Sequence, residues 1–212
     1  MAEAVTRPVL AEIGGDGDGA GRLARGAMFV ALGVALLAAA AKLQVPVWPS
    51  PVPVTMGTFA VLAIGAAYGP RLGLATVGAY MALGALGADV FAGSSAERNG
   101  LAYMAGTTGG YLVGYVLAAA LLGALARRGW DRSVWTMALA MLLGNVLIYV
   151  PGVLWLHHLV ATGLFQPDAY PSPWAQALQW GLTPYLVGDA MKLALAALLL
   201  PAAWRLAGGA RG

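Results

Sequence analysis

The chain has 212 residues, 60% of them hydrophobic and 10% charged, with a mean hydropathy of +0.75. Charged residues make up about a quarter of a soluble domain; the 12 basic and 9 acidic residues here are too few to solvate a water-soluble globule or to keep a chain disordered. The 30 glycines and 12 prolines follow no collagen period, the lack of cysteine removes disulfides and thiolate metal sites, and the net charge of +3 is scattered along the chain, which argues against nucleic acid as a partner.

In chain order, residues 1–25 are polar and punctuated by Gly14, Gly15, Gly17, Gly19 and Gly21, and read as a flexible cytoplasmic tail. Apolar blocks follow at about 26–43, 55–69, 71–88, 105–126, 134–156 and 182–204. The expected fold is therefore an all-α integral membrane protein with six transmembrane helices over 26–206, both termini cytoplasmic and a short tail at 207–212. Five blocks approach or exceed the roughly 18–20 residues that span a bilayer. Block 55–69 is short, and crosses only where the membrane is locally thin or flanking protein shelters it. A cleavable signal peptide is the rival reading of the first block, with cleavage near Ala38–Ala41, but the acidic leader before it is long for such a segment.

Charge sets the orientation. With the N-terminus inside, the inner segments hold Arg7, Arg22, Arg25, Arg71, Arg127, Arg128, Arg132, Arg205 and Arg211, whereas the outer segments hold Arg98 and Lys42 at the mouth of the first helix. That is the positive-inside distribution. The outer loops are also the elaborate ones. The first, Gln44 to Thr55, carries Pro46, Pro49, Pro51 and Pro53, a stiff extended run that cannot be helical. The loop at 89–104 holds Asp89, Glu97, Arg98 and Asn99, and that at 157–181 holds His157, His158, Asp168, Trp174 and Trp180, the tryptophans suiting an interfacial segment. Elaborated loops on one face place the functional end outward.

Asp189 and Lys192 interrupt the last apolar block three residues apart, hence on one helix face. A charge at mid-membrane costs roughly 2.5–3.5 kcal/mol on insertion scales, so such residues rarely face lipid. They read either as a self-neutralising ion pair or as the lining of a polar ligand pocket. Counted from the outer ends of their helices at 1.5 Å per residue, Tyr149 and Asn145 fall at about the depths of Asp189 and Lys192, and their spacing of four puts them on one face. The run Gly106-Thr107-Thr108-Gly109-Gly110-Tyr111 opens the fourth helix, where free N–H groups favour a carboxylate; a simply capped helix start is the alternative. Arg98 is either a nearby cation for the same anion or an ordinary solvated charge.

Enzyme readings find less support. An intramembrane aspartyl protease needs two carboxylates sharing a site, and the only other candidate, Asp89, is at a loop boundary. Adjacent His157 and His158 point apart, no His-Glu-x-x-His motif is present, and no phosphate-binding loop exists with which the chain itself would use ATP. No cofactor is expected. Ala27, Ala31, Ala35 and Ala39 recur every fourth residue, a smooth stripe that suits either internal packing or a partner helix.

The sequence resembles the BioY family, the biotin-specific S components of energy-coupling factor transporters, over about residues 27–203. The resemblance rests on Val45-Pro46 through Pro51-Val52-Pro53-Val54-Thr55, Thr58-Phe59-Ala60-Val61-Leu62, Gly69-Pro70-Arg71-Leu72-Gly73, Gly84-Ala85-Leu86-Gly87, Val90-Phe91-Ala92-Gly93, Thr108-Gly109-Gly110-Tyr111-Leu112, Asn145-Val146-Leu147-Ile148-Tyr149 and Gly188-Asp189-x-x-Lys192. Gly57 and Thr107 depart from it, standing where glutamine and proline are common. It implies high-affinity capture of biotin at the outer face of a bacterial inner membrane, and docking, in part through small residues of the first helix, onto a transmembrane coupling protein with two ATPases. The candidate substrate-binding set is Asp189, Lys192, Asn145, Tyr149, Tyr111, Gly109, Gly110, Thr55, Arg98 and Asn99. Another vitamin as ligand, or a stand-alone proton-coupled carrier, stays open on the residues alone.

Overall fold

The computed structural model describes residues 7–13, 19–46, 48, 50–95, 97–164 and 170–209; Asp168 and Arg211 lie outside them. In chain order the elements are α1 (Gly19–Lys42), β1 (Gln44–Val45), β2 (Val54–Thr55), α2 (Gly57–Ala85), α3 (Gly100–Met104), α4 (Gly109–Arg127), α5 (Val134–Ala161), α6 (Pro173–Gly181) and α7 (Leu186–Gly209). The two short strands pair antiparallel, Gln44 with Thr55 and Val45 with Val54, and close the base of the proline loop.

Among the described residues five helical runs are long and apolar enough to cross a membrane. One of them, α2, is a hairpin. Gly69 has φ 76° and ψ 177°, a conformation that only glycine adopts readily, and Pro70 follows with no N–H to donate. A Cβ built on Gly73 would lie 3.3 Å from the Gly65 Cα. In a straight helix those positions are about 12 Å apart along the axis, so the arms 57–68 and 70–85 run back along each other. With α1, α4, α5 and α7 they account for the six apolar blocks.

Helices in lipid associate by close packing rather than by exclusion of water, and small residues set the spacing here. α4 lies between α2 and α5. A Cβ on Gly65 would touch the Ala119 backbone at 3.0 Å, and one on Gly114 the Ile148 Cα at 2.6 Å. Leu62, Leu122, Met137, Met141, Ile148 and Leu156 fill the seams and are fully buried. α1 packs chiefly on α2 and is the least buried of the long helices.

The N-terminal boundary differs from the expectation. α1 starts at Gly19 rather than 26, and residues 7–13 of the expected flexible tail are packed against the bundle. Val9 is fully buried beneath the Gly69 turn. The Arg7 N–H donates to the Arg127 carbonyl at 2.9 Å, Arg25 donates to the carbonyls of Ala11 and Ile13 at 2.9 and 2.8 Å, and Arg127 pairs with Glu12. The apolar side chain of Val9 fits the dent left by the short hairpin, a tertiary reason that average polarity does not reveal. Burial works to raise the Glu12 carboxyl, but the hydrogen bonds from Arg127 and the Val9 N–H, with the charges of Arg127 and Arg25, hold it below its usual range. Arg7, Arg25, Arg71, Arg127, Arg132 and Arg205 all belong to this end of the bundle, where α4 and α7 finish and α1 and α5 begin.

Candidate functional site

At the opposite end α7 enters the bundle through a turn at Thr183–Tyr185, which directs Asp189 and Lys192 inward. Their side chains are only 8% and 11% exposed. The Lys192 Nζ lies 3.0 Å from Asp189 Oδ1 and donates to Thr58 Oγ1 at 3.2 Å, while the Tyr149 hydroxyl donates to Asp189 Oδ2. One acid, one base and two hydroxyls, from α2, α5 and α7, thus satisfy each other.

This cluster supplies the charged groups of a cavity that is partly open to solvent. Asp189 is its one carboxylate and Lys192 its one cation among the described residues; the remaining lining is dominated by aromatic rings. Tyr149 meets Tyr111 edge-on, with centroids 6.1 Å apart, and lies 6.3 Å from Tyr185. The Tyr111 hydroxyl donates to the Gly181 carbonyl at 2.8 Å, fixing the ring as a wall. The Tyr185 hydroxyl reaches the Val52 carbonyl at 2.5 Å, and Ser50 Oγ reaches the Trp180 carbonyl at 2.6 Å, so the proline loop is pinned to the α6–α7 joint over the cavity.

Of the candidates, Asp189, Lys192, Tyr149, Tyr111 and Thr55 come together in the lining. Five do not belong to it. Asn145 is buried one turn below Tyr149, its Oδ1 without a hydrogen-bond partner. The Gly109 N–H bonds the Gly106 carbonyl at 3.1 Å, and Cβ atoms on Gly109 and Gly110 would meet the Met104 and Pro151 carbonyls at 2.0 and 2.4 Å, so these glycines serve contact with α3 and α5. Arg98 is exposed and Asn99 half-buried, just ahead of α3.

Sequence reasoning missed Thr58, Tyr80, Phe91, Tyr103, Tyr115 and Tyr185. Tyr115 and Tyr185 carried a usable signal: each is four residues from a chosen residue, Tyr111 and Asp189, hence on the same face. Tyr103 carried none and Phe91 only its place in the family segment Val90-Phe91-Ala92-Gly93, because non-local contacts bring them to the cavity.

The sequence model of the BioY family matches residues 11–209. The chain belongs to the BioY family. A probable biotin transporter BioY of Pyrococcus horikoshii is 35% identical over 170 residues, covering 80% of this chain and 90% of the relative. The biotin transporter BioY of Thermotoga maritima is 32% identical over 165 residues, covering 78% and 87%. In fold the chain is similar to the crystal structure of an S-component for biotin from an ECF-type ABC transporter, with a TM-score of 0.73 and 20% identity over 90% of this chain and 95% of that one. It is a multi-pass membrane protein.

Proposed function

We propose that this chain captures biotin and carries it inward across the cytoplasmic membrane, as the substrate-binding S component of an ECF-type transporter and not as an enzyme. The observation that carries the reading is the aromatic-walled cavity closed by Asp189, Lys192, Tyr149 and Thr58. Biotin presents two ureido N–H donors and a carbonyl on one ring, an apolar thioether ring, and a carboxylate on a flexible tail. Asp189 accepts the ureido N–H groups, Lys192 donates to the carbonyl, and Tyr111 and Tyr149 flank the apolar ring. The carboxylate tail points to the open mouth, because against Asp189 it would place two like charges together in a buried site.

The arginine-rich end faces the cytoplasm and the cavity faces outward, following the positive-inside rule. Ala27, Ala31, Ala35 and Ala39 are all exposed on α1, whose opposite face buries Gly33, Leu37 and Ala40 against α2. This smooth outward stripe supports docking of a transmembrane coupling protein that brings two ATPases. The test is labelled-biotin binding to the detergent-purified protein, in competition with biotin, riboflavin and thiamine. Saturable binding displaced by biotin alone is expected; displacement by another vitamin, or no binding, refutes the assignment.

A further inference from the structure

The turn that carries Phe91 is held by a side chain from another helix. Phe91 is 1% exposed, lines the cavity, stacks on Tyr103 with centroids 5.0 Å apart and meets Tyr80 edge-on at 5.2 Å. Its ring leaves no room over Gly84, where a Cβ would lie 2.1 Å away. Tyr80 donates to the Val90 carbonyl at 3.0 Å and Tyr103 to that of Ala92, so cavity residues grip the turn from within.

From without, the grip is Lys42, the last residue of α1. Its Nζ lies 2.5 Å from Asp89 Oδ1 and 3.2 Å from the Ser94 carbonyl. Ser94 Oγ donates to the same Asp89 oxygen at 2.6 Å and accepts from the Phe91 N–H at 3.1 Å. A chain of contacts therefore runs from α1 through Asp89 and Ser94 to the Phe91 backbone, and Ala41, next to Lys42, is itself in the lining.

We propose that Lys42 is a positioning residue for ligand capture, holding Phe91 in the cavity wall through Asp89 and Ser94. The inference rests on the reading of the cavity as the biotin site. The ion pair is largely exposed, with side chains 36% and 55% accessible, so it adds little to global stability. Its effect falls on the local opening of residues 89–94, which exposes the cavity while the helices stay packed.

The test compares wild type with Lys42→Met, Asp89→Ala and Lys42→Arg by hydrogen exchange of peptides covering 88–95, by biotin dissociation rate and by unfolding midpoint. Lys42→Met and Asp89→Ala should speed both exchange and biotin release about two- to fivefold, the range of an exposed ion pair. Lys42→Arg should restore both, and the midpoint should not move in any variant. Unchanged exchange in Lys42→Met overturns the proposal, as does faster exchange with unchanged release. If wild type binds no biotin, the functional reading fails, and the exchange comparison still decides whether Lys42 holds the turn.

Discussion

Replacing Lys192 by methionine tests whether the Asp189–Lys192 pair is as sheltered as its geometry indicates. At 3.0 Å the attraction between the two charges is about 5–6 kcal/mol for an effective dielectric near 20. Desolvation of two side chains that are 8% and 11% exposed offsets much of it, so the intact pair contributes little net stability. Removing one partner is different. Lys192→Met leaves the Asp189 carboxylate with the Tyr149 hydroxyl and no cation, a penalty of about 3–5 kcal/mol. Asp189→Asn leaves Lys192 equally unpaired. The double variant removes both charges and should return to within about 1 kcal/mol of wild type, since apolar or neutral replacement of a buried pair is often neutral. Equilibrium unfolding of the four detergent-solubilised proteins gives the coupling energy directly. All three variants should lose high-affinity biotin binding, including the double variant that regains stability. Single variants within about 1 kcal/mol of wild type, or a double variant as unstable as the summed singles, refute a buried and mutually dependent pair.

Tyr111→Phe leaves the Gly181 carbonyl without its donor at a cost of about 1–3 kcal/mol, seen as faster hydrogen exchange in α6 with α4 unaffected. Gly84→Ala drives a methyl group into the Phe91 ring, an overpacking of about 1–3 kcal/mol, and should weaken biotin affinity at least fivefold by equilibrium binding. Because the Glu12 carboxyl lies below its ordinary 4.5, its contribution is fully present above that pH and is lost as pH falls through the lowered value. A spin label at Ile13→Cys, in a chain with no other cysteine, should stay immobile from neutral pH to about 5 and loosen below; equal immobility at pH 3 contradicts this. Ala31→Trp and Ala35→Trp should leave biotin binding intact while abolishing ATP-dependent uptake, and persistent uptake in both moves the docking surface elsewhere.

The parts of the site that were legible are those where one residue breaks the local pattern. Asp189, Lys192 and Tyr149 are polar groups within apolar helices, so spacing and depth alone brought them together. The hairpin was legible because Gly69-Pro70 separates two apolar blocks. Asn145 shares the face of Tyr149 yet stays outside the lining, because it is one turn deeper and buried in the α5 seam. The wall built by Phe91 and Tyr103 was not legible, because its placement depends on bonds from Lys42 and Tyr80, ten or more residues away, and from Ser94 across a turn. Val9 was hidden for a related reason. Its burial comes from a dent that exists only once α2 has folded back.

The short first arm of α2 also sets a distance. Thr58, which receives the Lys192 hydrogen bond at the base of the cavity, and Gly69, at the arginine-rich end, are separated by about 16 Å of helix at 1.5 Å per residue. The hydrocarbon layer is about 30 Å thick. Val9 and its arginine-tied segment cover the far end of that arm, so the polar cluster and the arginine-rich end are separated by roughly half a hydrocarbon thickness of helix. On the function proposed above, a ligand held by Lys192 has only about half a hydrocarbon thickness of protein between it and the arginine-rich end.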